Sequence, residues 1–430
     1  MNNSNKILKR LESLHPKQID LSLNRLLKLL NKLGNPHSKL PPTIHVAGTN
    51  GKGSTIAFLR SIFEENNYKV HVYTSPHLIN FNERIRLNSK IISNEFLDEI
   101  LKECEFYNKG NPITFFEITT AAAFLAFNRI NADILLLETG LGGRFDATNV
   151  ITKTLCNIIT PISMDHMSFL GNTIESIAME KIGILKNNTS AIIAPQNEKV
   201  INLINTETQK KKIKTYFYKK EWEVFKKSSS FFFHKLNRKI IKVLAPKLFG
   251  DHQFYNAGAA ITAAKIQDKF KLNDELISKG IEKTFWPARM QELKSGKLKD
   301  LVNNNFEIWL DGGHNLEASQ MIYKNLKKWK TEKKFLIFGM IHGKKPNEFL
   351  KKIIKEIEFV QIIPIKGFSS INSKDIINTF NKFNHKFRSS VSVEESIKFL
   401  NKNYAKGKII ICGSLYLAGE ILKKNNSKIT

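Results

Sequence analysis

Cysteine is scarce in this 430-residue chain: Cys104, Cys156 and Cys412 are odd in number, far apart and without a Cys-x-x-Cys pair. Neither a disulfide framework nor a zinc site is indicated, and a reducing cytoplasm is the compartment expected. No run of about 18 uncharged apolar residues occurs, and residues 1–16 lack an apolar stretch of signal-peptide length, so neither membrane spanning nor export is expected. Acidic residues are also few, 39 Asp and Glu against 67 Lys and Arg, for a net charge of +28. That balance attracts anions and would admit a nucleic-acid partner. The lysines, however, are spread from Lys6 to Lys428. The densest run, Lys210-Lys211-Lys212 with Lys219-Lys220 and Lys226-Lys227, reads as a solvated face, so no specific nucleic-acid binding is expected. The length and 42% hydrophobic content suffice for two or three domains, each with its own core.

Against these absences stands one concentrated stretch, Thr43-Ile-His-Val-Ala-Gly-Thr-Asn-Gly-Lys-Gly-Ser-Thr55. An apolar strand runs into a turn holding Gly48, Gly51 and Gly53, and a helix is predicted from about Ser54 to Glu65. Without β-carbons the turn can bend tightly and aim backbone N–H groups at an anion, to which the helix adds its positive dipole end. Lys52 is placed to reach outer phosphates. The strict P-loop pattern is missed twice, since Val46 stands at its first glycine and Gly53 at its hydroxyl residue, leaving Ser54 one place late. Glycine turns between strand and helix can serve packing alone, but the complete strand–turn–helix context favours phosphate.

Helices are predicted within Ile7–Leu33, ended by Gly34 and Pro36. Lys69–Thr74 reads as a second strand delivering Ser75-Pro76-His77 to a strand end, where ligands of parallel sheets gather. Further helices follow at Ser93–Tyr107 and from Thr114 through Phe127. Asp133–Glu138 is a continuous apolar run ending in a carboxylate, which makes it a buried parallel strand and Glu138 a candidate magnesium ligand. Another strand, Leu155–Thr160, leads to Asp165-His166, and a helix then carries Glu180-Lys181 into Gly183. His and Asp together after a strand suit magnesium or phosphate, whereas His166 taken alone is more often a structural histidine, and Lys181 a surface lysine. With a strand at Ala191–Ala194, this alternation predicts a P-loop-containing, doubly wound, mostly parallel α/β domain over 1–287. Within it, 197–247 is expected to be a small antiparallel β-rich part. Gly250–Asn256 is expected to cap a helix over Ala257–Ile266. Trp286-Pro-Ala-Arg289 breaks the pattern, and a smaller Rossmann-like α/β domain is expected over 288–430, with the turn Asp311-Gly-Gly-His-Asn315 after a strand at Phe306–Leu310.

Taken in order, these segments resemble the folylpolyglutamate synthase and dihydrofolate synthase family of the Mur ligase superfamily. The resemblance is carried by His45–Thr55, Tyr73-Thr-Ser-Pro-His77, Phe81-Asn-Glu-Arg-Ile85, Phe116-Glu117, Glu138–Asn149, Asp165-His166, Glu180-Lys-Ile-Gly183, Asp311–Asn315 and Gly413-Ser-Leu-Tyr416. It implies a Mur-ligase-like central domain and an ATP- and magnesium-dependent amide ligase. In that chemistry a substrate carboxylate becomes an acyl phosphate, which the amine of L-glutamate attacks. The acceptor would be dihydropteroate, a folate glutamate chain, or both. By motif position Gly48, Thr49, Asn50, Gly51, Lys52, Gly53, Ser54 and Thr55 would hold ATP, together with Gln253, Asn256, Arg289, Asp311 and His314, the site forming when the domains close. Ser75, Glu138 and His166 would ligate magnesium, Phe116 and Asp146 would hold the pterin, and Lys52, Lys181 and His166 would serve catalysis. The family also carries a carbamylated lysine, here Lys181, and its members act as monomers.

The chain departs from the family pattern at three places. Pro287-Ala-Arg289 stands for Pro-Gly-Arg, Asp311-Gly-Gly-His-Asn-Leu316 for Asp-x-Ala-His-Asn-Pro, and His342-Gly-Lys344 for Asp-Lys-Asp. The last removes both acids from a loop associated with the amino-acid substrate. Alternatives left open are a Mur-type ligase with another carboxylate acceptor and a basic nucleic-acid-binding protein with a vestigial nucleotide loop.

Overall fold

The computed structural model describes residues 3–17, 19–366 and 373–427, which fall into two compact units. One consists of Met1–His77, Phe81–Lys247 and Gln253–Thr284, the other of Leu78–Asn80, Leu248–His252 and Phe285–Thr430.

The first unit is built on a sheet of eight strands: β1 (Thr43–Ala47), β2 (Val70–Tyr73), β3 (Ile85–Leu87), β4 (Lys90–Ile91), β5 (Ile134–Glu138), β6 (Cys156–Ile159), β7 (Ser190–Ile193) and β8 (Lys214–Phe217). Their order is β4-β3-β2-β5-β1-β6-β7-β8, parallel except where β3 joins β2 and β4. Strands β1, β2, β5 and β6 are buried along their whole length, which is why they read as mainly apolar runs rather than alternating ones, with the polar side chains of His45, His71 and Asn157 buried among them. On one face Leu135 and Leu137 join a core with helices α1 (Asn3–Glu12), α2 (Asn24–Lys32), α4 (Asn94–Asn108) and α5 (Phe115–Arg129). Helix α3 (Lys52–Glu65) packs on β1, β2 and β5. Thr114 opens α5 with a reciprocal cap, accepting from the Glu117 amide while the Glu117 carboxylate accepts from the Thr114 amide at 2.8 Å. The fully buried Ala121, Ala122 and Ala123 then let this helix sit close to its neighbours.

Beyond β6 come α6 (Met167–Leu170), α7 (Ile174–Ile182) and α8 (Glu198–Lys210), the last two packing Ile177, Ile182, Val200 and Ile204 against Ile159 and Ile193. The stretch 197–247 therefore differs from a purely antiparallel segment. Its first part is α8, capped where the Asn197 side chain accepts from the Val200 amide at 2.9 Å, and β8 extends the main sheet in parallel with β7. Only β9 (Trp222–Lys226), β10 (Phe231–Leu236) and β11 (Lys239–Leu244) form the antiparallel sheet. Helices α9 (His252–Lys265) and α10 (Asp274–Lys283) follow.

The second unit carries the sheet β12-β13-β17-β14-β15-β16, formed by β12 (Gln291–Glu292), β13 (Phe306–Leu310), β14 (Lys334–Phe338), β15 (Phe359–Ile362), β16 (Phe387–Ser389) and β17 (Gly407–Cys412). All neighbours are parallel except β12 with β13. Alternation along the strands sorts the core into two layers. Ile308, Leu310, Phe335, Ile337, Ile409 and Ile411 meet α14 (Val393–Asn403) and α15 (Leu415–Lys424), while Trp309, Leu336, Phe338 and Ile410 meet α11 (Leu316–Leu326) and α12 (Pro346–Ile353). The remaining helix of this unit, α13 (Ser373–Lys382), lies between β15 and β16 in the chain. Among the described residues no helix is long and apolar enough to cross a membrane.

Candidate active site

Strands β2, β5, β1 and β6 are consecutive in the sheet, so the loops at their C-terminal ends, carrying Ser75, Glu138, Gly48 and Pro161, stand side by side. Crevices outside the carboxyl ends of parallel strands are the ligand sites of such folds.

The glycine turn is held from the side. The Thr49 and Asn50 amides donate to the Pro161 carbonyl at 2.9 and 3.3 Å. The Thr49 hydroxyl donates to the Ser163 carbonyl at 3.1 Å and accepts from its amide at 3.0 Å. Gly48, at φ 151°, fits because a β-carbon there would lie 1.9 Å from Thr160 Oγ1. Gly51, at φ 89°, begins the helix without a side-chain cap, so α3 starts at Lys52 and not at Ser54 as the sequence suggests. This left-handed residue leads Lys52 and Gly53 into the first turn, whose amides are the natural anion donors.

Two lysines converge on this turn. Lys52 Nζ donates to the carbonyls of Gly48 at 3.2 Å and Thr49 at 3.3 Å, and Lys181 Nζ, from α7, donates to the Gly48 carbonyl at 3.0 Å. Lys181 is buried, and burial together with the Lys52 cation pushes its pKa down to about 7. Its amine is therefore about half neutral near pH 7.

On the other side of β1, Glu138 ends β5 at 5% exposure and accepts from the Ser75 amide at 3.3 Å. These two sequence-predicted residues are brought together. His166 follows in a left-handed conformation, φ 50°, with its side chain 41% exposed and Nε2 3.9 Å from the Asp165 carboxylate. It stands more open to solvent than Glu138. Among the described residues, no group of three or more His, Cys, Asp and Glu side chains is arranged to hold a metal.

The segment Thr139–Asn149 folds back against the end of α7. A β-carbon on Gly143 would meet the Glu180 carbonyl at 2.6 Å, and the Arg144 amide donates to that carbonyl at 2.7 Å. Gly140 leaves room for the Phe116 ring, which would lie 2.3 Å from a β-carbon there and packs near Tyr73 with ring centroids 6.1 Å apart. Asp146 is buried. Its carboxylate accepts from the amides of Leu141 at 2.8 Å and Thr148 at 3.0 Å and from the Thr148 hydroxyl. Burial nevertheless raises its pKa above the ordinary carboxylate value.

Gln253 and Asn256 lie inside α9, not in a cap before it, because the helix begins at His252. Both are buried, with the Asn256 amide donating to Gln253 Oε1 at 3.0 Å and Gln253 donating to Ser54 Oγ at 3.5 Å. A β-carbon on Gly51 would meet Asn256 Oδ1 at 2.6 Å. The pair therefore lines the glycine turn. Thr160, Pro161 and Ser163, which shape that turn, were missed by motif reasoning because they contribute backbone contacts or steric fit.

In the second unit, Asp311 directly follows β13 and accepts from the Met290 amide at 2.8 Å and the Gly313 amide at 2.7 Å, its pKa raised by burial against the opposing pull of the Arg289 cation. A β-carbon on Gly312 would fall 2.9 Å from Arg289 Nη1, and His314 Nδ1 lies 3.0 Å from the Gly312 carbonyl. Arg289, Asp311 and His314 thus form one cluster. At the end of β14, His342, Gly343, Lys344, Pro346, Asn347, Asn378, Thr379 and Lys382 line a cleft of about 460 Å³, with no acidic side chain among the described residues of its wall.

The Mur ligase middle domain family matches residues 46–264, and the dihydrofolate synthetase C-terminal domain family matches residues 293–424. The dihydrofolate synthase/folylpolyglutamate synthase of Bacillus subtilis is 32% identical over 419 residues, covering 94% of both chains. The dihydrofolate synthetase of Saccharomyces cerevisiae is 30% identical over 445 residues, covering 96% of this chain and 99% of the yeast one. Among solved structures, E. coli FolC in complex with DHPP and ADP superposes with a TM-score of 0.88 at 26% identity, over 98% of this chain and 97% of that one. The folylpolyglutamate synthase of Thermotoga maritima gives 0.83 at 29% identity, over 99% and 98%. With both family matches and two relatives at this level along nearly its whole length, the chain belongs to the dihydrofolate synthase and folylpolyglutamate synthase family of the Mur ligase superfamily.

Proposed function

We propose that this protein is an ATP-dependent ligase that joins L-glutamate to the carboxylate of dihydropteroate, of a folate, or of both. The observation that carries the reading is the convergence of Lys52 and Lys181 on the Gly48 carbonyl at the uncapped start of α3. The Lys52 cation and the Lys181 amine, which a bound anion would favour in its charged form, stand beside the first-turn amides and form a site for a polyphosphate. Gln253 and Asn256 border it, and Arg289, Asp311 and His314 are assigned to the nucleotide by their motifs.

In this reaction the acceptor carboxylate oxygen attacks the γ-phosphorus of ATP and ADP leaves, giving an acyl phosphate. The glutamate amine then attacks the acyl carbon, phosphate departs with its oxygen, and the amine proton is released as the amide forms. The residues act by alignment and charge neutralisation. Lys52 would hold the outer phosphates as negative charge moves toward ADP. Phe116 and Asp146 would hold the pterin, the aromatic ring supplying a flat apolar surface and the carboxylate accepting hydrogen bonds.

The donor set beside the glycine turn fits a hard divalent cation, since Glu138 is a nearly buried carboxylate with Ser75 one backbone hydrogen bond away. Glu138 and Ser75, with His166, would hold magnesium, which when bound neutralises phosphate charge. Lys181, with its amine partly neutral, is suited to carbamylation, which would turn a buried cation into an anion. The cleft at His342, Lys344 and Lys382 has the charge to take a carboxylate of the incoming amino acid.

The test is phosphate release and product mass with ATP, magnesium, L-glutamate and either dihydropteroate or tetrahydrofolate. Glutamylated product with one or both pterins is expected. Phosphate release that ignores both would overturn the assignment, and salt-sensitive RNA retention without ligation would favour a binding protein.

A further inference from the structure

His45 has no part in the ligase chemistry above, yet it is fully buried in the middle of β1, three residues before Gly48, where the glycine turn starts. Its strand is flanked on both sides, His45 standing opposite Leu137 of β5 and Asn157 of β6. A histidine in the centre of a parallel sheet must find a polar partner or carry the cost of an unpaired polar group. It finds Thr148, 103 residues later, with Nε2 2.8 Å from the hydroxyl oxygen.

The direction of this hydrogen bond follows from counting protons. Thr148 has one hydroxyl proton, and it is given to Asp146 Oδ1, the oxygen that also accepts from the Thr148 amide. The hydroxyl must therefore accept from His45, which fixes the imidazole as the neutral tautomer with its proton on Nε2. Two observations agree. His45 Nδ1 is buried without a hydrogen-bond partner, as an unprotonated nitrogen can be at lower cost than an N–H. Burial and the Lys186 cation also hold the imidazole pKa down to about 3.

The chain His45–Thr148–Asp146 thus runs from the strand that delivers the phosphate turn to the carboxylate assigned to the pterin. We propose that His45 is a positioning residue for the acceptor: by donating to Thr148 it fixes the hydroxyl rotor, and the fixed hydroxyl holds Asp146 Oδ1 at the orientation in which the carboxylate meets the pterin. The inference rests on the proposed assignment of Asp146 to the acceptor. The surrounding anchors are consistent with a part built to hold still. Lys186 donates to Asn149 Oδ1 at 2.7 Å, and Asn149 donates to the carbonyls of Arg144 at 2.9 Å and Gly183 at 3.2 Å, tying the turn after Asp146 to the end of α7.

The experiment compares His45→Gln, His45→Leu, Thr148→Val and the double variant His45→Leu/Thr148→Val in the full-length protein. Steady-state kinetics would be read for the pterin and ATP separately, with calorimetric ADP binding as the check on folding. Glutamine keeps an N–H donor near the Nε2 position, while leucine fills the space without one. We expect His45→Leu and Thr148→Val each to raise KM for the pterin about tenfold, the loss of one hydrogen bond at a bound group. KM for ATP and ADP affinity should stay within about twofold, and His45→Gln should restore the pterin KM. The double variant should be no worse than either single one, because both break the same chain. Unchanged pterin KM in the single variants, equal loss for pterin and ATP, multiplicative losses in the double variant, or failure of His45→Gln to restore would each overturn the proposal. A wild-type protein that glutamylates no pterin would instead overturn the functional assignment on which it rests.

Discussion

Lys181 Nζ lies 3.0 Å from the carbonyl oxygen of Gly48, and Lys52 Nζ lies 3.2 Å from the same oxygen. One carbonyl cannot neutralise two ammonium groups. Burial first, and the Lys52 charge second, push the pKa of Lys181 down to about 7. A polyphosphate placed here would supply the missing negative charge.

Lys52→Ala should therefore lose at least about 100-fold in turnover, the scale found when a single electrostatic contact to a reacting group is deleted. The far-ultraviolet circular dichroism and thermal midpoint should be retained, because Lys52 packs no core. A variant within a few-fold of the wild-type rate would remove the glycine turn from the mechanism.

Lys181→Met should stabilise the protein even as activity falls. Below about pH 7 the lysine is charged in both folded and unfolded chains, and the full cost of burying the charge is present. Between about pH 7 and its unperturbed 10.5, the unfolded chain holds a proton that the folded one does not, so stability rises with pH. The melting temperature of Lys181→Met should exceed that of the wild type by more at pH 6.5 than at pH 9, roughly speaking. A gap that widens toward high pH would show that the amine is not held neutral by the fold.

Carbamylation makes a separate prediction. Lys181→Ala should lose activity and regain part of it in millimolar acetate or formate, whose carboxylates would replace the missing anion. Activity of wild-type protein stripped of carbon dioxide should rise on adding bicarbonate. Full activity in the alanine variant would make the lysine purely structural.

Gly48→Ala tests the steric fit of the turn. The added carbon would sit 1.9 Å from Thr160 Oγ1 and 2.9 Å from the Thr160 carbonyl, so the turn must shift. Overpacking of this kind costs about 1–3 kcal/mol, and nucleotide affinity should fall with it. Adding Thr160→Ala removes the hydroxyl but not the carbonyl and should recover only part of the loss. Normal ATP affinity in the single variant would count against the close approach.

For the cleft at the end of β14, Lys344→Glu should raise KM for L-glutamate about tenfold while leaving KM for ATP within about twofold, an effect of one reversed charge. The same experiment with Lys382→Glu should move in the same direction. If neither variant changes KM for L-glutamate, the amino acid binds elsewhere.

Much of this was legible in the residues. The apolar run at residues 134–137 and the mainly apolar one at Cys156–Ile159 announce strands buried on both faces, and the glycines of the phosphate turn announce the helix that follows. What escaped was of two kinds. Helix α8 was overshadowed by the neighbouring lysine and aromatic clusters, although Asn197 as cap and Val200, Ile204 and Thr208 as its buried stripe carry the helical period. The anchors of the phosphate turn escaped for a different reason. Pro161 acts through its carbonyl and Thr160 through its bulk, and neither property depends on a recognisable side-chain motif. The start of α3 at Lys52 was set by the left-handed Gly51, which a pattern of hydrophobic positions does not register.

The seating of Thr49 and Asn50 on the Pro161 carbonyl bears on synthesis as well as on binding. Thirteen consecutive residues spell out the nucleotide motif, but its brace is encoded more than 110 positions downstream, counting from Asn50 to Pro161. A ribosome that has released only the first 150 residues has exposed the entire motif and its neighbour β5, but not the Pro161 carbonyl that seats the turn. Fragments ending before Pro161 should therefore fail to retain ATP despite containing every glycine and lysine of the motif, and competence to bind should arrive only once the downstream residues that brace and line the turn, from Pro161 to Asn256, have joined it.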